Sequence, residues 1–129
     1  MLSINDMQNK LSEVYLYIEL DDKNARKLEK KIFEKLSELK FHCSLRVEGY
    51  AFFLNKISEI VGLPNIRLII SKNILITRIH MIPGLMEEKA LAIGLTSQEV
   101  YSKTMHAINE IANLYNEYSK TATILIINK

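Results

Sequence analysis

Apolar and polar residues alternate in two stretches of the first half of the chain. In "VYLYIEL", residues 14–20, every second residue is aliphatic and the residues between are Tyr or Glu. "FHCSLRV", residues 41–47, alternates in the same way, with Cys43 at an apolar position. A period of two is typical of a strand that buries one face. The pattern therefore predicts two half-buried strands and a core position for Cys43.

Between these strands the apolar spacing changes to three and four residues, which is typical of an amphipathic helix. Asp21 or Asp22 can begin this helix by accepting hydrogen bonds from its first amide groups. Its basic residues are interleaved with glutamates, which favours a solvated, salt-bridged face over a phosphate-binding one. The buried face is predicted to consist of Ala25, Leu28, Ile32, Leu36 and Leu39.

Helical spacing also runs through "YAFFLNKISEIVGLP", residues 50–64, and predicts a second helix. Gly49 would end the strand before this helix, and Gly62 followed by Pro64 would end the helix itself. Two β-rich runs around "SKN", within residues 65–82, predict a β-hairpin.

The last third of the chain predicts two more helices and a strand. "PGLMEEKALAIG", residues 83–94, predicts a turn and a short helix. Thr96 and Glu99 have the spacing of a capping box at the start of a long helix, whose apolar stripe is wide enough to pack on a sheet. "TATILIINK", residues 121–129, is apolar on both faces and predicts a strand covered on two sides. The predicted buried residues of the long helix are Val100, Met105, Ile108, Ile111 and Tyr115.

The predicted order of elements is β-α-β-α-β-β-α-α-β. This order predicts an α+β fold, with a mixed, largely antiparallel sheet of about five strands layered with helices. The chain of 129 residues has no repeat or linker, so we expect one domain over residues 1–129. Residues 1–12 are weakly patterned and suit a short helix or a loose arm equally well.

Composition limits the functional classes. Hydrophobic residues make up 48% and charged residues 25% of the chain, and the net charge of +2 does not by itself indicate nucleic-acid binding. The N-terminus lacks the pattern of a secretory signal, and no apolar run approaches the ~20 residues that span a bilayer. A single cysteine fits a reducing compartment. We therefore expect a cytoplasmic protein without a membrane segment.

Candidate catalytic chemistry is sparse. The sequence has no glycine-rich phosphate loop, no nucleophile elbow and no metal-ligand spacing. His42 and Cys43 are neighbours on a predicted strand, so their side chains point to opposite faces and cannot share a metal ion. His80 and His106 have no acidic or cysteine partner at a recognisable spacing and are expected at the surface. We predict a non-catalytic protein without a cofactor; an enzyme with an unrecognised site is the less favoured alternative.

Basic residues cluster on or near the predicted hairpin, at Arg67, Lys72 and Arg78. If the sheet order brings these residues together with Arg46 and Lys56, they can contact an RNA backbone. The alternative is that they are scattered solubilising charges.

Three stretches carry a family resemblance. "VYLYIELDDKNARKLEKK", residues 14–31, is a strand that runs into a helix. "LNKISEIVGLPNIRLIIS", residues 54–71, is an Ile-rich helix, a glycine and a strand. "IGLTSQEVYSKTMHAINEIA", residues 93–112, is a helix start of the Ser/Thr-Gln-Glu type followed by the long helix. In this order, over about two thirds of the chain, they resemble the TPRKB/CGI family, the small non-catalytic subunit of the KEOPS complex.

The resemblance implies a role in tRNA modification. KEOPS installs the threonylcarbamoyl group on the adenosine next to the anticodon, and a different, metal-bearing subunit performs the transfer. The TPRKB-like subunit binds and stimulates the small atypical kinase/ATPase of the complex and helps recruit tRNA. By matching position, the resemblance implies kinase contacts at Leu85, Met86, Leu91 and Ile93. This chain lacks the extra helical segment that family members carry between the first helix and the second strand.

Two hypotheses follow from the sequence. The first is an accessory subunit that binds a kinase and, more weakly, tRNA through Arg67, Lys72 and Arg78. The second is a small regulatory or dimerisation domain without an RNA role, because α+β layers of this kind host many functions. Both hypotheses allow the free protein to be a monomer or a weak dimer.

Overall fold

A computed structural model of the chain describes residues 13–61, 64–71, 73–80, 91, 94, 97–118 and 123–127. Nine elements are described, and they are numbered here in chain order. They are β1 (Glu13–Glu19), α1 (Asp22–Glu38), β2 (His42–Val47), β3 (Tyr50–Leu54), α2 (Lys56–Val61), β4 (Asn65–Ser71), β5 (Ile74–His80), α3 (Ser97–Tyr118) and β6 (Thr123–Ile127).

The strands form one six-stranded sheet in the order β2-β3-β4-β5-β1-β6. Every strand pair that the structure describes is antiparallel. The predicted α+β fold class is confirmed, and so is the predicted hairpin, whose strands β4 and β5 pair from Ser71 and Ile74 outward. The first strand of the described residues, β1, lies between β5 and β6, so the sheet depends on pairings between segments that are far apart in the sequence.

The prediction of a helix that begins at Tyr50 is wrong. Residues 50–54 form β3, which pairs with β2 on one side and β4 on the other. Gly49 has φ +77° in the turn before β3, and its carbonyl accepts a hydrogen bond of 2.9 Å from the amide of Ile70. A strand that is apolar on both faces has no clear period of two, which is why its pattern was compatible with a helix.

Asn55 and Ser58 set the boundary between β3 and α2. The Asn55 Oδ1 accepts from the amide of Ser58 at 2.8 Å, and the Ser58 Oγ accepts from the amide of Asn55 at 2.7 Å. Reciprocal bonds of this kind satisfy amide groups that a helix start otherwise leaves unpaired. Helix α2 therefore begins at Lys56, six residues after the predicted start.

Helix α1 begins as the sequence predicts. Asp21 is its N-cap residue, and the Asp21 Oδ1 accepts from the amide of Asn24 at 2.8 Å. The predicted apolar face is confirmed, since its first four members are buried and Leu39 is half-buried. Lys40 then takes φ +69° and reverses the chain toward β2.

Helices α1 and α3 pack on the same face of the sheet, and the core lies between them and the strands. The predicted burial of Met105, Ile108, Ile111 and Tyr115 in α3 is confirmed. The side chain of Val100 lies outside the described residues. The core residues that the strands contribute are Val14, Leu16, Ile18, Ala51, Phe53, Ile66, Leu68, Leu75 and Ile79.

The predicted core position of Cys43 is wrong. All six residues of β2 are exposed, because β2 is an edge strand. The pairing of β2 with β3 shifts between Cys43 and Leu45, so the expected alternation along β2 is interrupted. Several further predictions lie outside the described residues: those for residues 1–12 and 83–90, the cap at Gly62, the capping role of Thr96 and the covering of β6.

Candidate functional site: the open face of the sheet

The candidate site is the face of the sheet that points away from α1 and α3, called the open face below. Neighbouring side chains along a strand point to opposite faces, so the register defines which residues share it. Two rows cross the sheet on this face. The arginine row consists of Leu45, Phe52, Arg67, Arg78 and Tyr15, and the isoleucine row consists of Val47, Tyr50, Ile69, Ile76 and Tyr17.

Most side chains of these rows are half-buried, and the two on β2 are the most open. Leu45 is 52% exposed and Val47 is 56% exposed. Both are large apolar side chains, and they lie next to the aromatic residues Phe52 and Tyr50 of β3. Apolar groups that are contiguous and accessible are typical of surfaces that bind another molecule.

A buried carboxylate holds Arg78. The Arg78 guanidinium donates a hydrogen bond to Glu13, whose side chain is almost fully buried. This bond raises the pKa of Arg78 above its ordinary value. Tyr15 donates to the second oxygen of Glu13 at 3.4 Å, and the Arg78 Cζ lies 5.4 Å from the centre of the Tyr15 ring. Glu13 therefore offsets the charge of Arg78 and fixes its position.

Arg67 lies directly opposite Arg78 in the register. Its Cζ is 5.7 Å from the centre of the Phe52 ring, a cation–π arrangement. Among the described residues, the Nε atoms of Arg67 and Arg78 are both buried without a hydrogen-bond partner. Two like charges that face each other across a strand pair repel. The pair therefore carries more positive charge than Glu13 alone compensates.

The structure brings together only part of the predicted RNA-binding set. Arg67 and Arg78 are neighbours on the open face, whereas Lys72 lies outside the described residues. Arg46 points to the other face, where its Cζ lies 4.5 Å from the centre of the Phe33 ring. Lys56 is exposed at the start of α2. The described basic cluster on the sheet is thus a pair of arginines.

Of the predicted kinase-binding residues, the structure describes one. Leu91 is 67% exposed, the largest exposure of an apolar side chain in the described parts of the chain. Leu85, Met86 and Ile93 lie outside the described residues.

Each histidine lies near a glutamate. The prediction that His106 has no acidic partner at a recognisable spacing is wrong, because Glu110 is four residues away on the same helix, whereas the partner of His80, Glu13, is distant in the sequence. The His42 Nε2 is 2.8 Å from Glu59, and the His106 Nε2 is 3.8 Å from Glu110. His80 lies on the open face, 3.7 Å from a carboxylate oxygen of Glu13. His106 is exposed, in agreement with its predicted surface position, whereas His80 is half-buried; His42 is exposed as well.

Sequence patterns missed two parts of this site. The helical spacing predicts a helix over Tyr50 and Phe52, and no local signal connects Glu13 with Arg78, 65 residues away. The alternation of Tyr15 and Tyr17 with aliphatic residues was the available signal that one sheet face carries aromatic side chains.

A cleft lies beside β2 on the side of the sheet that carries α1. It is an open cleft of about 570 Å³ between the first turns of α1 and the β2–β3 turn. Acidic and basic side chains both line it, and Arg26 there is already paired with Asp22 at 3.0 Å. Within the described ranges, no three His, Cys, Asp or Glu side chains form a group that could hold a metal ion. Among the helices described, none is both long and apolar enough to cross a membrane.

No family model matches this sequence, and no curated protein matches it either.

Proposed function

We propose that this chain is a non-catalytic accessory subunit of the KEOPS type. It binds and supports the small atypical kinase/ATPase of that complex in the cytoplasm and helps recruit the tRNA that receives the threonylcarbamoyl group. The resemblance of residues 14–31, 54–71 and 93–112 supports this setting. The observation that carries the binding role is the open face, on which Arg67 and Arg78 lie side by side among aromatic and aliphatic side chains.

The kinase contact is tested by complex formation. The full chain is mixed with the kinase subunit from the same organism at tens of micromolar, and the mixture is run on a sizing column. A one-to-one complex is expected, and Leu91→Gln should weaken it because Leu91 exposes an apolar side chain. Two separate peaks for the wild-type mixture would rule out the kinase contact.

The tRNA contact is tested by charge reversal. Arg67→Glu should lower tRNA affinity more than Arg78→Glu, because Glu13 already offsets the charge of Arg78. The loss should come with a shallower dependence of affinity on salt, since fewer phosphate counterions are released. Lys27→Glu is the matched control, because Lys27 is exposed on α1, on the other side of the sheet. Equal gel-shift affinities for the wild type and both arginine variants would exclude this contact.

A small regulatory or dimerisation domain is the second candidate function. The exposure of Leu45 and Val47 on an edge strand favours it, because an open apolar edge can pair with a second copy. Light scattering of the free protein over a hundredfold concentration range tests it. A constant monomer mass would exclude dimerisation.

A further inference from the structure

Strand β2 forms one edge of the sheet, and its outer side pairs with none of the described strands. All six of its residues are exposed. Leu45 and Val47 are 52% and 56% exposed, and they lie on the open face opposite Phe52 and Tyr50 of β3. An edge that combines unpaired backbone groups with open apolar side chains is a template for pairing with another strand.

The part of β2 that carries these apolar residues is regular. Its pairing with β3 shifts between Cys43 and Leu45, whereas from Leu45 to Val47 each residue has one partner in β3. A bulge is one of the devices that prevent an edge from pairing further. Here the irregularity ends before the two apolar residues, so they belong to a continuous extended segment.

Two copies of β2 can pair about a two-fold axis in only a few registers. An axis perpendicular to the sheet makes the strands antiparallel and, because opposite residues share a face, places one residue opposite its own copy. With Arg46 on the axis, Leu45 lies opposite Val47 of the second copy. With Leu45 on the axis, Val47 would face Cys43, and with Val47 on the axis, Leu45 would face Gly49. Only the register centred on Arg46 places both open apolar side chains of one copy directly opposite those of the other.

The charges near the axis are balanced in this register. Arg46 faces Arg46 of the second copy, which by itself is unfavourable. The Arg46 Cζ lies 4.5 Å from the centre of the Phe33 ring, which is 4.9 Å from the centre of the Phe53 ring on β3, so the guanidinium leans inward from the edge. Glu48 follows Arg46 by two residues and therefore lies diagonal to Arg46 of the second copy. It is exposed and forms no ion pair within the described ranges, so it can neutralise that arginine.

We infer that two copies of this chain pair through β2 about a two-fold axis at Arg46. Residues 45–48 carry both halves of the apolar contact and both halves of the charged contact, which is what an isologous interface requires. The pairing joins two six-stranded sheets into one and places the open faces of both copies side by side. The inference rests on the second candidate function in taking the chain to self-associate, and it assigns the edge and the register.

Cysteine cross-linking of the full chain tests the register. Leu45→Cys and Val47→Cys are each made in a Cys43→Ser background, so that each protein has a single thiol. Directly opposite residues have Cα atoms about 4.5–5.5 Å apart, which a disulfide can bridge, whereas diagonal residues are about 7–8 Å apart, which it cannot. Under mild oxidation, an equimolar mixture of the two variants should form covalent dimer about tenfold faster than either variant alone.

Lys27→Cys in the same background measures the rate of cross-linking by random collision, because Lys27 is exposed on α1 and not on the edge strand. Leu45→Cys alone and Val47→Cys alone should cross-link at about this collision rate, since each thiol is then diagonal to its own copy.

A charge exchange provides a second measurement, by light scattering over a concentration series. Glu48→Arg should weaken the dimer about tenfold, because it leaves each Arg46 among positive charges only. Arg46→Glu combined with Glu48→Arg should restore the affinity, since the exchange keeps both charges at the axis. The double variant is the matched control for a general effect of substitution at these exposed positions.

Several results would overturn the inference. These are a mixture that cross-links no faster than the single variants, a faster reaction of Leu45→Cys alone, which would centre the pairing on Leu45, or a constant monomer mass up to roughly 1 mM. A dimer mass with cross-linking at the collision rate would also overturn it, because the copies would then meet through another surface. Failure of the KEOPS proposal gives a different result, namely no complex with the kinase subunit while the mixture still cross-links.

Discussion

A buried hydrogen bond between Thr77 and Tyr115 joins the sheet to helix α3. The Thr77 Oγ1 and the Tyr115 hydroxyl are 2.7 Å apart, and both residues are almost completely buried. Thr77 belongs to β5, two positions from Ile79 in the core and one from Arg78 on the open face. The bond therefore helps to hold the strand that carries Arg78 against the helix layer.

Removing one partner should destabilise the fold by a known mechanism. Tyr115→Phe leaves the Thr77 hydroxyl buried without its partner, and Thr77→Val leaves the Tyr115 hydroxyl in the same state. Each single change should cost about 1–2 kcal/mol, since a buried unpaired polar group loses its hydration as well as the bond. For a chain of this length the melting temperature should fall by about 3–8 °C.

The double variant distinguishes the free-energy contribution of the hydrogen bond from that of the surrounding packing. Tyr115→Phe combined with Thr77→Val removes both polar groups, so its cost should be lower than the sum of the single costs by about 1 kcal/mol. Urea unfolding followed by circular dichroism gives the free energy of unfolding of all four proteins. Additive costs, within about 0.3 kcal/mol, would contradict this account of the bond.

Three further predictions concern turns, caps and pH. Gly49→Ala should lower the melting temperature more than Gly94→Ala. Both glycines have φ +77°, so their backbone strain is similar. An added Cβ at Gly49 would lie 2.8 Å from the Ile70 carbonyl oxygen, whereas an added Cβ at Gly94 would meet nothing within 4 Å. Asp21→Ala should cost about 1 kcal/mol in urea unfolding, because it removes the N-cap of α1. Burial raises the pKa of Tyr115, so unfolding releases its proton and stability should fall as the pH rises above about 10. Tyr115→Phe should show a shallower fall over the same pH range, and identical slopes would contradict this assignment.

Local patterns in the sequence were sufficient for the elements that have one buried face. β1 alternates cleanly, and α1 has both a capping aspartate and a regular apolar face, so each was predicted from short-range signals. The same short-range signals do not identify β3 as a strand, because Ala51 and Phe53 are buried while Tyr50 and Phe52 also carry apolar surface. Its identity as a strand depends on its two neighbours in the sheet and on the turn at Gly49.

The candidate site depends on long-range order. The predicted hairpin already placed Arg67 and Arg78 on neighbouring strands, and its register sets them opposite each other. The positions of β3 and β1 beside this hairpin result from pairings between distant segments, which local hydrophobic patterns do not encode. The aromatic side chains on either side of the hairpin and the ion pair with Glu13 could therefore be recognised only from the fold.

The most direct test of the central claim, that the open face is the binding surface, is an NMR titration of the isotope-labelled full chain. Backbone amide signals are followed while the unlabelled kinase subunit, or tRNA, is added. The account predicts that the largest shifts or losses of signal occur at β3, β4 and β5, around Phe52, Arg67 and Ile76. Changes confined to the exposed side of α1, with the signals of the sheet unchanged, would contradict it.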